Sequence, residues 1–165
     1  MIEVLRLSHR IGRDPRLSTH VILTARAFGA EKVYYSGDHD KSLEDSTDKI
    51  VSNFGGPFEI EYVRNPLKLI DDKKKKGFQI VHLTMYGKNF EKLKLKKKVL
   101  VVVGSEKVEK EFYEICENIS VGNQPHSEVA ALGVLLYKFF GVKRKFMNPK
   151  IIIEGLEKGK KITKI

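Results

Sequence analysis

"VLVVVGSEKV", residues 99–108, sets five consecutive apolar residues ahead of a glycine. A run this short, entered from a lysine-rich stretch and left through a glycine, reads as a β-strand. It shows no alternation, so both of its faces must be covered. That is the pattern of a central strand in a parallel sheet with helices on both sides.

The chain around it repeats the theme. Residues 3–7 read as a first strand, followed by a polar, arginine-rich loop at 8–16. Ser18 or Thr19 is placed to cap a helix running to Phe28, which Gly29 ends. Residues 32–36 read as a second strand and 42–54 as an amphipathic helix with Leu43, Thr47, Ile50, Val51 and Phe54 on one face. Gly55-Gly56-Pro57 breaks it. A third strand is expected at 58–63, a helix at 67–76 and a fourth strand at 79–83. Beyond the fifth strand at 99–103 come a helix at 108–115, a short strand at 118–121 and a long apolar helix at 127–140. Residues 150–154 are expected to add an edge strand. Strands alternating with helices imply an α/β fold with a mostly parallel sheet flanked by helices. The lysine runs 73–76 and 94–98 are expected to be solvated loop charge.

At 165 residues the chain fits one domain, 1–165, with 141–165 as a C-terminal extension. Hydrophobic residues at 41% and charged residues at 32% are a globular balance. No apolar run reaches the roughly 20 residues of a membrane helix, and residues 1–7 lack the basic start and long apolar run of a secretion signal. Cys116 is the only cysteine, so no intrachain disulfide can form, and a reducing cytoplasm is the expected setting. Lys+Arg at 31 against Asp+Glu at 21 leaves a net charge of +10. A thermophilic surface would raise lysine and glutamate together. Here lysine rises alone, which points to a polyanionic partner, nucleic acid above all.

Ligands of parallel sheets sit at the carboxyl ends of the strands. "HLTMYG" (82–87), "VVVGSEKV" (101–108) and "VGNQPHSE" (121–128) all fall at such ends, each with a glycine that permits a sharp turn and a close ligand. Together they suggest one shared pocket. It is not a phosphate loop, because G-x-x-x-x-G-K-[ST] and G-x-G-x-x-G are both missing. His9, His20, His39, His82 and His126 have no metal-ligand spacing with Cys116 or with one another. "GDHD" (37–40) reads as turn chemistry before a helix. His126 and Ser127 adjoin, but without the G-x-S-x-G elbow of a hydrolase. The 121–128 cluster admits two readings. One is helix initiation, with Asn123 or Ser127 as cap, Pro125 in the first turn and Glu128 on the positive dipole end. The other is ligand binding, which would also account for Gln124 and His126.

Taken together, "RLSHRIGRDPRLSTHVILTARAFGA" (6–30), "VHLTMYG" (81–87), "VVVGSEKV" and "VGNQPHSEVAALGVLL" (121–136) resemble the archaeal tRNA (cytidine-56) 2′-O-methyltransferase family, within the SPOUT class. The resemblance runs from the first strand through the long last helix. It implies a C-terminal deep trefoil knot, which no residue pattern reveals by itself. It implies S-adenosylmethionine as methyl donor, bound by Leu83, by Gly104, Ser105, Glu106, Lys107 and Val108, and by Val121, Gly122, Asn123, Gln124, Pro125, His126, Ser127 and Glu128. It implies a tRNA substrate, a homodimer, and no metal, since the sulfonium already activates the methyl group. Related enzymes place an arginine in the first-motif helix where this chain has Leu23. Arg10, Arg13 and Arg16 in the loop upstream are therefore the catalytic candidates, with phosphate binding as the other use for each. His9 and His20 flank that loop as further candidates for the base. A methyltransferase of the same class with another RNA target, and a non-enzymatic RNA-binding module, are the alternatives.

Overall fold

The computed structural model describes residues 1–13, 15–104, 107–143 and 145–165. Six strands form the main sheet: β1 (Ile2–His9), β2 (Lys32–Gly37), β3 (Glu59–Tyr62), β4 (Gln79–Asn89), β5 (Val99–Val103) and β6 (Glu117–Ser120). Their order is β3-β2-β1-β5-β4-β6, and every neighbouring pair is parallel. β5 lies between β1 and β4, as its unbroken apolar run requires.

The pleat divides the core. Val99, Val101 and Val103 of β5 face one side, with Val4 of β1 and residues of α1 (Pro15–Ala27), α2 (Lys41–Phe54) and α5 (Glu128–Phe140). Leu100 and Val102 face the other, with Leu5 and Leu7 and with Ile70 and Phe112 of α3 (Pro66–Lys75) and α4 (Lys110–Ile115). In α5, Ala131, Leu132, Leu135 and Leu136 are buried.

The chain builds outward from β1 to β2 and β3, then returns to fill the other side with β4, β5 and β6. The direction therefore switches between β1 and β5. At a switch point the loops leaving two adjacent strands part in opposite directions and open a crevice.

Several expectations need correction. Residues 151–154 are not an edge of the main sheet. β7 (Ile151–Glu154) pairs antiparallel with β8 (Lys161–Lys164) in a separate hairpin. That extension docks on the helices through Lys143 N–H to Ala27 O (3.1 Å), Lys150 N–H to Asn53 O (2.9 Å) and the Arg26 guanidinium 3.9 Å from the Phe146 ring centre. α1 starts at Pro15, so Ser18 and Thr19 lie within it and cap nothing. Lys73–Lys75 belong to the last turn of α3, and Lys73 is buried against Glu3 between the Tyr34 and Phe78 rings. β4 continues past Leu83 to Asn89 after an irregularity that bears on the site.

Candidate active site

A cavity of about 430 Å³ opens at the carboxyl ends of β1, β4 and β5, beside the N-terminus of α5. Its volume falls in the range of small-molecule sites. Arg6 of β1 is buried in its floor. The Arg6 guanidinium donates to Gly104 O, just beyond β5, and lies 3.4 Å from Glu128 Oε1 in the first turn of α5. One side chain thus ties three elements together beneath the cavity.

His82 in β4 is also buried and also lines the cavity. Its Nδ1 donates to Asn118 Oδ1 at 2.9 Å, and Asn118 Nδ2 donates to Tyr113 O at 2.7 Å, which sets the amide's orientation. Nε2 is left as the ring's acceptor. Burial pushes the His82 pKa below its ordinary value, against the opposing effect of the Asn118 hydrogen bond, so the ring is neutral near pH 7.

The 121–128 loop does several jobs at once. Ser127 caps α5 by accepting from Val129 N–H at 3.2 Å, and Pro125 lies before the cap rather than in the first turn. Ser120 Oγ accepts from Gly122 N–H at 2.9 Å and donates to Gly122 O at 2.6 Å, which closes the exit from β6. Asn123 does not cap. Its side-chain amide donates to Met85 O at 2.6 Å and to Gly87 O at 3.1 Å, bridging to the β4 loop. His126 lines the cavity, and its Nδ1 donates to Gln124 O at 2.5 Å.

The arginine loop comes in from the other side. Arg10 and Arg13 line the cavity, whereas Arg16 is exposed on α1 and does not. His9 anchors the loop's start. It is fully buried, with Nδ1 2.7 Å from Ser18 Oγ and Nε2 3.0 Å from Asp40 Oδ2. Both nitrogens are engaged away from solvent, so His9 is not placed to take a substrate proton. His20 is exposed and is not part of the cavity wall. Leu23 faces a different groove, between α1 and α2.

Of the residues expected to hold a ligand, Leu83, Gly104, Val108, His126 and Glu128 share the cavity wall. Gly104 comes so close to Val108 that a side-chain carbon there would collide with it. Lys107, Gly122, Asn123, Gln124, Pro125 and Ser127 are exposed, and Val121 is half-buried against the core. Ser105 and Glu106 lie outside the described residues. His82 and Tyr86 belong to the wall too, within the 82–87 stretch that sequence places at the pocket, whereas Arg6 and Tyr113 have no such pointer. The available signal for Arg6 and His82 was a polar residue interrupting an apolar strand. Among the described residues, no three histidine, cysteine, aspartate or glutamate side chains cluster to hold a metal, and no helix is long and apolar enough to cross a membrane.

The fold is that of the SpoU RNA methyltransferases. The TrmH/SpoU tRNA modifying enzyme of A. aeolicus matches with a TM-score of 0.62 at 23% identity, covering 83% of this chain and 72% of that one. The SpoU methyltransferase AviRb from Streptomyces viridochromogenes, solved in complex with AdoMet, matches with a TM-score of 0.63 at 17% identity, covering 84% of this chain and 56% of that one. Sequence narrows the class. Residues 54–163 match the family described as tRNA ribose 2′-O-methyltransferase, aTrm56. The tRNA (cytidine(56)-2′-O)-methyltransferase of Thermococcus kodakarensis is 46% identical, covering 100% of this chain and 98% of that one. The protein of the same name from Methanocaldococcus jannaschii is also 46% identical, over 99% of this chain and 97% of its own. The chain belongs to the aTrm56 family of tRNA ribose 2′-O-methyltransferases.

Proposed function

We propose that this chain methylates the ribose 2′-hydroxyl of cytidine 56, in the T-loop of tRNA, with S-adenosylmethionine as donor. The carrying observation is the convergence of three loop regions and two loop arginines on one switch-point cavity, in a chain of this family. The cavity suits such a donor. Leu83, Val108 and Ala131 offer apolar wall, while His126 and Glu128 of the 121–128 loop bring polar groups to its edge.

The donor supplies a methyl carbon bonded to a sulfonium. With the donor bound, the 2′-oxygen would take the methyl carbon while its proton passes to solvent water and the carbon–sulfur electron pair stays on sulfur. No redox partner or metal is needed for the balance. The chain's task is to bring the hydroxyl into line and exclude competing geometries, which is worth several kcal/mol of barrier when the fit is close. Leu83, Gly104 to Val108 and Val121 to Glu128 hold the donor side. Arg10 and Arg13 hold the phosphate next to the target ribose and fix the attacking oxygen. Arg6 and Glu128 brace the floor between them.

The functional unit is a homodimer in the cytoplasm, with Val134 and Tyr137 on the exposed face of α5 covered by the second copy. Its C-terminal half is tied in a deep trefoil knot. The +10 charge draws tRNA in, with an affinity that falls as salt rises. The test is mass spectrometry of the T-loop fragment of unmodified tRNA after incubation with protein and donor. One added methyl on the cytidine 56 ribose is expected. Methylation elsewhere, or none, would overturn the reading.

A further inference from the structure

Residues 84–87 of β4 leave the sheet. Leu83 and Lys88 both pair with Ile119 of β6, so the residues between them are extruded at the cavity. The excursion is built into the packing. Gly87 lies so close to the β6 backbone that a side-chain carbon would stand 2.6 Å from Asn118 C. From the 121–128 loop, Asn123 donates to Met85 O at 2.6 Å and to Gly87 O at 3.1 Å, on either side of Tyr86. This bracket presents the Tyr86 ring at the cavity wall with 72% of the residue exposed. Tyr113 stands behind it, edge-on at 6.2 Å between ring centres, and Tyr113 in turn lies edge-on to buried His82 at 4.7 Å.

So exposed an aromatic ring contributes little to the core. The hydrogen bonds and the glycine contact around it nonetheless hold its backbone firmly. Arg10 and Arg13 line the same cavity. A fixed π face beside guanidinium groups suits an unstacked nucleobase on its phosphate backbone. A nucleotide whose ribose must enter this cavity first has to leave its own stack, and the base then needs a new partner.

Resting on the function proposed above, we infer that Tyr86 stacks on the base of the nucleotide whose ribose is methylated, and that Asn123 is the positioning residue that holds Tyr86 in place. The contact is to the target base and not to the adenine of the donor.

The experiment compares wild type, Tyr86→Ala, Tyr86→Phe and Asn123→Ala on a tRNA transcript, and on the same transcript lacking only the base of the target nucleotide. Turnover is measured against tRNA concentration, and S-adenosylmethionine affinity by calorimetry. Tyr86→Ala is expected to lower kcat/KM for the intact transcript by about ten- to a hundredfold, the usual worth of one base–aromatic stack. Tyr86→Phe stays within about threefold because the π face is kept. Asn123→Ala shares the loss in kcat/KM, and donor affinity in the Tyr86 variants changes less than about twofold. On the baseless transcript wild type and Tyr86→Ala should converge, since the two losses remove one contact. A wild type that does not methylate the intact transcript overturns the underlying function and this inference with it. An active wild type overturns this inference alone if Tyr86→Ala matches it. So does a donor-affinity loss equal to the kcat/KM loss, which would put the ring against adenine. So does a Tyr86→Ala deficit that persists on the baseless transcript.

Discussion

His9 and Asp40 meet at 3.0 Å, Nε2 to Oδ2, although 31 positions separate them in the chain. His9 ends β1, and Asp40 is the N-cap of α2, where its other oxygen accepts from Ser42 N–H at 3.0 Å and Leu43 N–H at 3.2 Å. On its far side His9 reaches Ser18 of α1. β1 is irregular just before this contact, with Ser8 at φ 56°. Gly37 packs against it, with φ 103° and a side-chain carbon that would fall 2.7 Å from His9 N. The loop carrying Arg10 and Arg13 therefore leaves the sheet from a point fixed by three elements.

Cutting that clasp should harm catalysis more than ligand binding. Asp40→Asn leaves a buried ring with a poorer acceptor, and His9→Ala leaves the Asp40 carboxylate short of a donor. Each should cost about 1–3 kcal/mol in denaturant unfolding. The kcat should drop while donor affinity by calorimetry holds, because Arg10 and Arg13 lose their fixed origin. Parallel loss of donor affinity would mean that the clasp supports the whole cavity.

Arg10 and Arg13 differ from Arg16 by position. Arg10→Ala and Arg13→Ala should each lower turnover on the order of a hundredfold, the scale for removing an oriented donor at a reacting centre. Arg16→Ala, exposed outside the cavity, should stay near wild type. Steady-state kinetics at saturating donor decides, and the reverse ranking would move the substrate phosphate onto α1.

Acid should weaken the fold through His82 before it reaches the carboxylates. The His82 pKa is held below the ordinary 6.5 by burial. The unfolded chain then takes up a proton below about pH 6.5 that the folded chain refuses. Stability from this group is complete above that pH and is lost as pH falls toward the lowered folded value. Asp40, held below the usual carboxylate range by the Ser42 hydroxyl against the opposing cost of burial, with His9 adding to the effect, acts further down the scale. Its contribution is present above about pH 4 and is lost as pH falls through the folded value. Melting temperature should therefore fall as pH drops below about 6.5 in wild type, and this slope should flatten in His82→Gln.

Cys116 should resist thiol reagents in the native state. Burial pushes its pKa up to about 11, with Lys74 opposing weakly, so almost none is thiolate near neutral pH. Reaction with a disulfide reagent should be slow until denaturant is added, then rapid. Fast native labelling would show that the α4–β6 corner opens.

The elements were legible where they depend on neighbours along the chain. Residues 99–103 announce a central strand, and that strand is β5 to the residue. The glycine-bearing turns and the Ser127 cap were readable for the same reason. Residues 150–154 read as a strand, but its partner is β8 and not the main sheet, because strand pairing is a contact that local sequence does not encode. Of the lysine run 73–76, Lys74, Lys75 and Lys76 are solvated as expected, while Lys73 is buried, because nothing local tells that Glu3 lies above it.

From sequence alone come the alternation of strands and helices, the surplus of positive charge and the three glycine-bearing loops at the carboxyl ends of the strands. Those follow from short-range periodicity and composition. Tertiary structure alone decided that Arg6 meets Glu128 across 122 positions, that His9 is sealed away from chemistry, and that Asn123 turns from capping a helix to bracketing Tyr86. Each of these depends on which strands the parallel crossovers set side by side, and loop closure over such distances leaves no periodic trace in the sequence.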